Sequence, residues 1–275
     1  MALFTATELE HIEGYLANNQ ALEILPALQG LVAGLESHVD ENCPVTDEVQ
    51  WFSFANAFEK LAYRRVERDP RELREAPAPF DRAYADYAFC LMACNDLEGA
   101  AAALKQAVRW NPMDCAHRLD LAALLANQGD ADEALRLSYS VFARASKPAH
   151  LVRSYLNFAA HYEGAEQFEL AGACVWCALQ LSPRSARVQE AARKLVAEHD
   201  VDAGALAAEQ VAALLEPQGI PLGANVEVVV SALIVAELAR EQGDRATAED
   251  LTLVAVNLVG QEQAAALAQL VREQA

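Results

Sequence analysis

A pattern that recurs about every 34 residues through the middle of the chain limits its fold more than any other feature. Tyr84, Tyr87, Ala88 and Leu91 are followed by Ala100, Leu104, Ala107 and Pro112. One period later Leu121, Ala122 and Leu125 precede Ala134 and Val141. A third copy runs Tyr155, Phe158, Ala159 and Tyr162, then Ala171, Val175, Ala178 and Pro183. A fixed period of this length marks a stack of repeats, because one such unit cannot bury its apolar face alone. Apolar residues make up 53 % of the chain, much of it alanine. Alanine has the highest helix propensity and lets helices approach closely. β-Branched residues cluster only in Val226–Val230. An all-α fold is expected.

These residues and their spacing resemble the tetratricopeptide repeat, a helix–turn–helix unit. The resemblance implies an α–α superhelix, a solenoid of antiparallel helix pairs with additional N- and C-terminal helices. Three units would cover residues 81–183. Asn95-Asp96 and Gly129-Asp130 fall at the family's turn between the two helices, and Pro112 and Pro183 at its unit-closing position. The chain also departs from the family. Pro148 comes two residues late, and the second and third units are 37 residues apart. Arg118 and Ser138 stand where apolar residues are usual, and Glu166-Gln167 replaces the small turn residue of unit three.

Residues 1–76 read as an N-terminal helical region without regular spacing. A capping signal at Thr5 or Thr7 starts a stripe of Leu9, Ile12 and Leu16, and a second helix is expected over Ala21–Ser37 despite Pro26. A long helix is expected from Asp47 to Arg68, with Trp51, Phe54, Phe58, Leu61 and Ala62 on one face. Prolines 70, 77 and 79 mark 69–79 as a linker or ordered loop whose arginines are matched by neighbouring acids. Residues 184–275 read as degenerate helical repeats. Helices are expected over Val188–Glu198, Ala203–Leu215, Val226–Gln242 and Arg245–Val259, with a capping helix over Gln261–Gln274. Gly243-Asp244, with Ala236, Ala248 and Ala255, implies a fourth unit.

Lys and Arg number 21 against 40 Asp and Glu, a net charge of −19. Nucleic acid and anionic membrane both demand basic surface, so neither is expected as a partner. The first residues lack a basic segment and carry Glu8, Glu10 and Glu13, and Val228–Ala236 is half the length of a membrane span. A cytoplasmic location is expected. No phosphate loop, nucleophile elbow or His-Glu-x-x-His motif occurs, so no enzymatic activity and no cofactor are expected. The six histidines are expected on the surface or at helix ends. Cys90 with Cys94, and Cys174 with Cys177, read first as small core residues, with no metal expected. A thiol or zinc sensor is the weakest alternative.

In the family resembled, the first helix of each unit lines the concave groove. That implies a peptide-binding groove presenting Arg82, Phe89 and Met92 from unit one, Leu119 and Asn127 from unit two, and Arg153, Leu156 and Asn157 from unit three. Phe89, Met92 and Leu156 would be anchors, and Arg82 and Arg153 would orient an acidic group. Asp120 would repel a terminal carboxylate, so a chaperone-tail clamp is disfavoured. The N-terminal helices could also fold back and fill the groove. The expected function is a non-catalytic scaffold for a protein or peptide partner, and the alternative is a module for homo-oligomerisation.

Overall fold

Five pairs of helices turn through the same three-residue connection. They are α1 (Ala6–Ala17) with α2 (Ala21–Asn42), α4 (Phe80–Ala93) with α5 (Leu97–Trp110), and α6 (Cys115–Asn127) with α7 (Ala131–Phe142). The others are α8 (Pro148–Gly164) with α9 (Phe168–Leu181), and α12 (Val226–Glu241) with α13 (Arg245–Val259). The middle turn residue is left-handed in every case: Asn19 at φ 60°, Asn95 at 62°, Gly129 at 90°, Glu166 at 57° and Gly243 at 80°. The residue after it donates its backbone N–H five positions back. These bonds are Gln20 to Tyr15 at 3.0 Å, Asp96 to Leu91, Asp130 to Leu125 and Asp244 to Ala239 at 2.9 Å, and Gln167 to Tyr162 at 2.8 Å. Each closes the helix on its orphan carbonyls, as a Schellman turn does. Five residues past the turn, Ala100, Ala134, Ala171 and Ala248 are buried, and α4 packs on α5, α8 on α9 and α12 on α13.

The computed structural model describes residues 4–274. The fold is all-α, with fourteen helices and one short two-stranded sheet among the described residues. Its chain divides into two compact units, one ending at Asp130 and the other beginning at Ala131.

In the first unit, α2 and α1 both pack on α4, α4 on α5, and α5 on α6. The N-terminal pair therefore sits beside α4 as a further repeat-like layer. Between α2 and α4 the chain detours through β1 (Val49–Phe52), α3 (Ala57–Glu67) and β2 (Glu72–Glu75). The strands are parallel, with Val49 opposite Glu72 and Phe52 opposite Glu75. This corrects the single helix expected over Asp47–Arg68 and the linker over 69–79. Gln50 and Phe52 are buried while Val49 and Trp51 are half-buried, a strand's period of two. The helix starts only at Asn56, whose side chain accepts the Glu59 N–H at 3.0 Å. Phe52, Phe54 and Tyr63 form its aromatic core, with ring centroids 4.6–5.5 Å apart. Ser53 N–H donates to Trp110 O at 2.8 Å, and Trp110 meets Phe80 edge-on at 4.8 Å. The detour is thereby fixed to the ends of α4 and α5. Its charges are matched locally, with Arg71 on Asp69, Arg74 on Glu72 and Lys60 on Glu75.

In the second unit, α7 packs on α8, α9 on both α8 and α10 (Ala186–His199), and α11 (Ala208–Leu215) on α9. The helix expected over Ala203–Leu215 is broken: residues 203–205 form a single tight turn and α11 begins at Ala208. Gly172 of α9 lies under Val201, whose Cγ1 stands 2.6 Å from the place a β-carbon would take. Tyr139 and Tyr155 donate their hydroxyls to the carbonyls of Gly219 and Pro221, at 3.1 and 2.7 Å. They hold the loop that leads into α12. The closing helix α14 (Gln261–Gln274) has the expected bounds and packs on α12 and α13.

Candidate functional site

The residues expected along the groove lie on α4 and α6 in the first unit and on α8 in the second. In the first unit Arg82 is engaged by α1. Its Nη2 donates to both Glu13 oxygens at 2.7 Å and its Nε to one of them at 2.9 Å. Phe89 is 47 % exposed, Met92 half-buried and Asn127 exposed. Leu119 is fully buried, so its side chain serves the core.

In the second unit Arg153, Leu156 and Asn157 lie half-buried on α8. Asn157 turns inward. Its Nδ2 donates to Ser138 Oγ at 2.8 Å, and Ser138 Oγ donates to Ala134 O at 2.9 Å. Leu156 instead lines a cleft of about 260 Å³ with Ala159, Ala160, Val175, Ala191 and Leu195 from α8, α9 and α10. Glu163, Arg187, Glu190 and Lys194 ring it. Lys194 Nζ lies 2.7 Å from Glu163 Oε1, and His199 Nε2 3.2 Å from the same oxygen. The Lys194 hydrogen bond above all holds the Glu163 carboxyl below its usual range. Arg187 is exposed, and no ion pair among the described residues engages it.

A second constellation went unread in the sequence. Asp81, in the first turn of α4, is 4 % exposed and accepts from Ser53 Oγ at 2.8 Å and Asn111 Nδ2 at 3.2 Å. Asn111 shares that amide with Glu59 Oε2 at 2.9 Å, and its own carbonyl accepts the N–H groups of Met113 and Asp114. Asp114 caps α6 through Ala116 N–H at 2.7 Å. His117, one turn on, points its Nε2 at Asp81 Oδ2 (3.5 Å) and Asp114 Oδ2 (3.7 Å). Both separations are within ion-pair range but longer than an ordinary hydrogen bond, and Nε2 is buried without a well-formed one. His117 thus stands at a helix end as expected but is buried rather than on the surface. Burial works against its charged form, but the Asp81, Asp114 and Asp120 carboxylates outweigh it and raise the imidazole's pKa. Burial pushes the Glu59 carboxyl up. Burial and then Glu13 raise Asp86 to about 7.

Among the described residues no cysteine joins a group of three or more candidate metal ligands. Burial pushes the Cys90 thiol up to about 11 and Cys177 to about 12, and raises Cys174 further. Such thiols stay protonated and are poor nucleophiles. Among the described residues no helix is long and apolar enough to cross a membrane. Compared with known proteins, the chain matches no family model and no curated sequence.

Proposed function

We propose that the chain is a non-catalytic scaffold of the tetratricopeptide type, and that its second unit holds a peptide segment in the α8–α10 cleft. The observation that carries this reading is an apolar floor, Leu156 to Leu195, beside the exposed and unengaged Arg187. The recurring three-residue turn and the buried alanine after it support the repeat assignment. An apolar side chain entering the cleft would gain about 25 cal/mol per Å² buried. A carboxylate beside it would meet Arg187 as a charge-assisted pair. The occupant is a short segment with one aliphatic or aromatic anchor and an acidic residue nearby. The groove residues Arg82, Leu119 and Asn157 give such a segment little, because each is already committed within its own unit.

Selection from a random-peptide display library tests this. Wild type should enrich an apolar–acidic motif, and Leu156→Arg and Arg187→Glu should each abolish the enrichment. An unenriched library, or the same motif on all three proteins, overturns the reading.

Self-assembly is the second reading. Leu238, Leu253 and Leu270, on α12, α13 and α14, are each about half exposed. Solution mass should then rise with concentration and stay monomeric for Leu253→Glu. A constant monomer mass for wild type removes this reading.

A further inference from the structure

The buried histidine at the start of α6 has a use that the scaffold reading leaves open. We propose that Asp81, Asp114 and His117 form a binding site for a divalent transition ion of the zinc type. The ion would be held by Asp81 Oδ2, Asp114 Oδ2 and His117 Nε2.

Three observations carry this. First, the donor atoms converge. His117 Nε2 lies 3.5 and 3.7 Å from the two oxygens, and all three atoms fall within 4.8 Å of one another. Donors about 2.1 Å from one tetrahedral ion lie about 3.4 Å apart, so a small adjustment of the side chains closes the site. Second, the His117 side chain is only 10 % exposed, and its Nε2 points at the two oxygens without a well-formed hydrogen bond. A buried polar nitrogen left in that state is costly, and a metal bond satisfies it. Third, the supporting shell is built. Ser53 Oγ and Asn111 Nδ2 orient the Asp81 carboxylate, and Ala116 N–H fixes the second oxygen of Asp114. Outer hydrogen bonds of this kind tune and orient ligands at metal sites.

The chemistry of the set selects the ion. One imidazole with two carboxylates suits zinc, whereas magnesium and calcium favour oxygen alone and higher coordination. Asp114 is 33 % exposed, so water can reach the fourth position. The other group of this composition, Glu163, Glu198 and His199, is a weaker candidate, because Lys194 already occupies Glu163 at 2.7 Å and Glu198 is exposed.

Calorimetric titration of the tag-free, chelator-stripped chain with zinc chloride is the test, with the melting temperature followed alongside. One saturable equivalent and a rise in melting temperature are expected. His117→Gln should weaken binding at least tenfold. Asp114→Asn should do the same while keeping the α6 cap, since asparagine caps as well as aspartate. Ser53→Ala should weaken binding by about 10–100-fold. Cobalt in place of zinc should show only weak visible bands, without the intense near-ultraviolet thiolate band that any of the six cysteines would produce. Should His117→Gln fail to fold, Asp114→Asn decides. No saturable binding, binding unchanged in the variants, or a strong thiolate band overturns the proposal.

Discussion

Asn157 donates its amide to Ser138 Oγ at 2.8 Å, at a place where the neighbouring pairs carry Leu104 and Val175. The hydroxyl is buried and passes its own proton to Ala134 O at 2.9 Å, so α7 and α8 are joined by polar contacts as well as apolar burial. Ser154 adds a bond to the Ser138 carbonyl at 3.0 Å. Ser138→Ala and Asn157→Ala should each lower stability by about 1 kcal/mol, the net worth of such a bond. Together they should cost less than their sum, by about 0.5–1 kcal/mol in a double-mutant cycle of urea unfolding. Strict additivity would mean that the two residues act independently.

Glu166 holds a left-handed conformation, φ 57°, that Gly129 and Gly243 adopt in the matching turns. A side chain there costs roughly 1 kcal/mol that glycine avoids. Glu166→Gly should therefore raise the unfolding free energy by about 0.5–1 kcal/mol, while Gly129→Ala should lower it by at least as much. Chemical denaturation of the two variants measures both signs.

Asp86 lies on α4 among Glu13, Asp81, Arg82 and His117, with one oxygen buried and unpartnered. Its folded-state pKa, about 7, exceeds the ordinary aspartate value. Its contribution is thus intact below about pH 4 and is lost as the pH rises through 7. Asp86→Asn should be close to neutral below about pH 4, progressively stabilising as the pH rises from about 4 to 7, and level above that. A stability difference that does not change with pH would contradict this.

Asp69 shows the opposite behaviour. The Arg71 guanidinium first, with Arg71 N–H and the Tyr63 hydroxyl, holds its carboxyl well below the usual carboxylate range. A depressed carboxyl stabilises the fold above its unfolded value, near 3.9, and that contribution fades as the pH falls towards the folded value. Asp69→Asn should cost stability at about pH 6, and the gap to wild type should narrow below about pH 4. Urea midpoints across that range provide the check.

How much of this was legible in the sequence differs along the chain. The pairs α4–α5, α8–α9 and α12–α13 could be read because alanine recurs at Ala100, Ala171 and Ala248, at a fixed distance from each turn. The N-terminal pair makes the same turn at Asn19, yet Ile24 stands at the alanine position and the insertion over 43–79 breaks the register. The false helix over Asp47–Arg68 came from Trp51, Phe54 and Phe58, whose spacing suits a helix. The cap at Asn56 was the overlooked signal, since its side chain marks where helical hydrogen bonding begins. Asp81 and His117 belong to different helices and share no motif. Only the spacing Asp114-x-x-His117, which puts a cap and a ring on one turn, hinted at the site. Of the residues expected in the groove, Phe89 is exposed and Leu156 half-buried beside the α8–α10 cleft. The commitments of Arg82 to Glu13 and Asn157 to Ser138 depend on side-chain direction, which periodicity does not encode.

The detour through β1, α3 and β2 also bears on the order in which the first unit assembles. The α4–α5, α5–α6, α8–α9 and α12–α13 contacts form across a handful of residues, whereas α2 finds α4 across residues 43–79. Contacts made over such a span form late, because the chain must first close the intervening loop. The α4–α5 pair can mature on its own, while α1 and α2 must wait for the inserted strands to join and bring them home. The start of the chain is thus the last part of its unit to arrive, and the first exposed when the strand pairing fails.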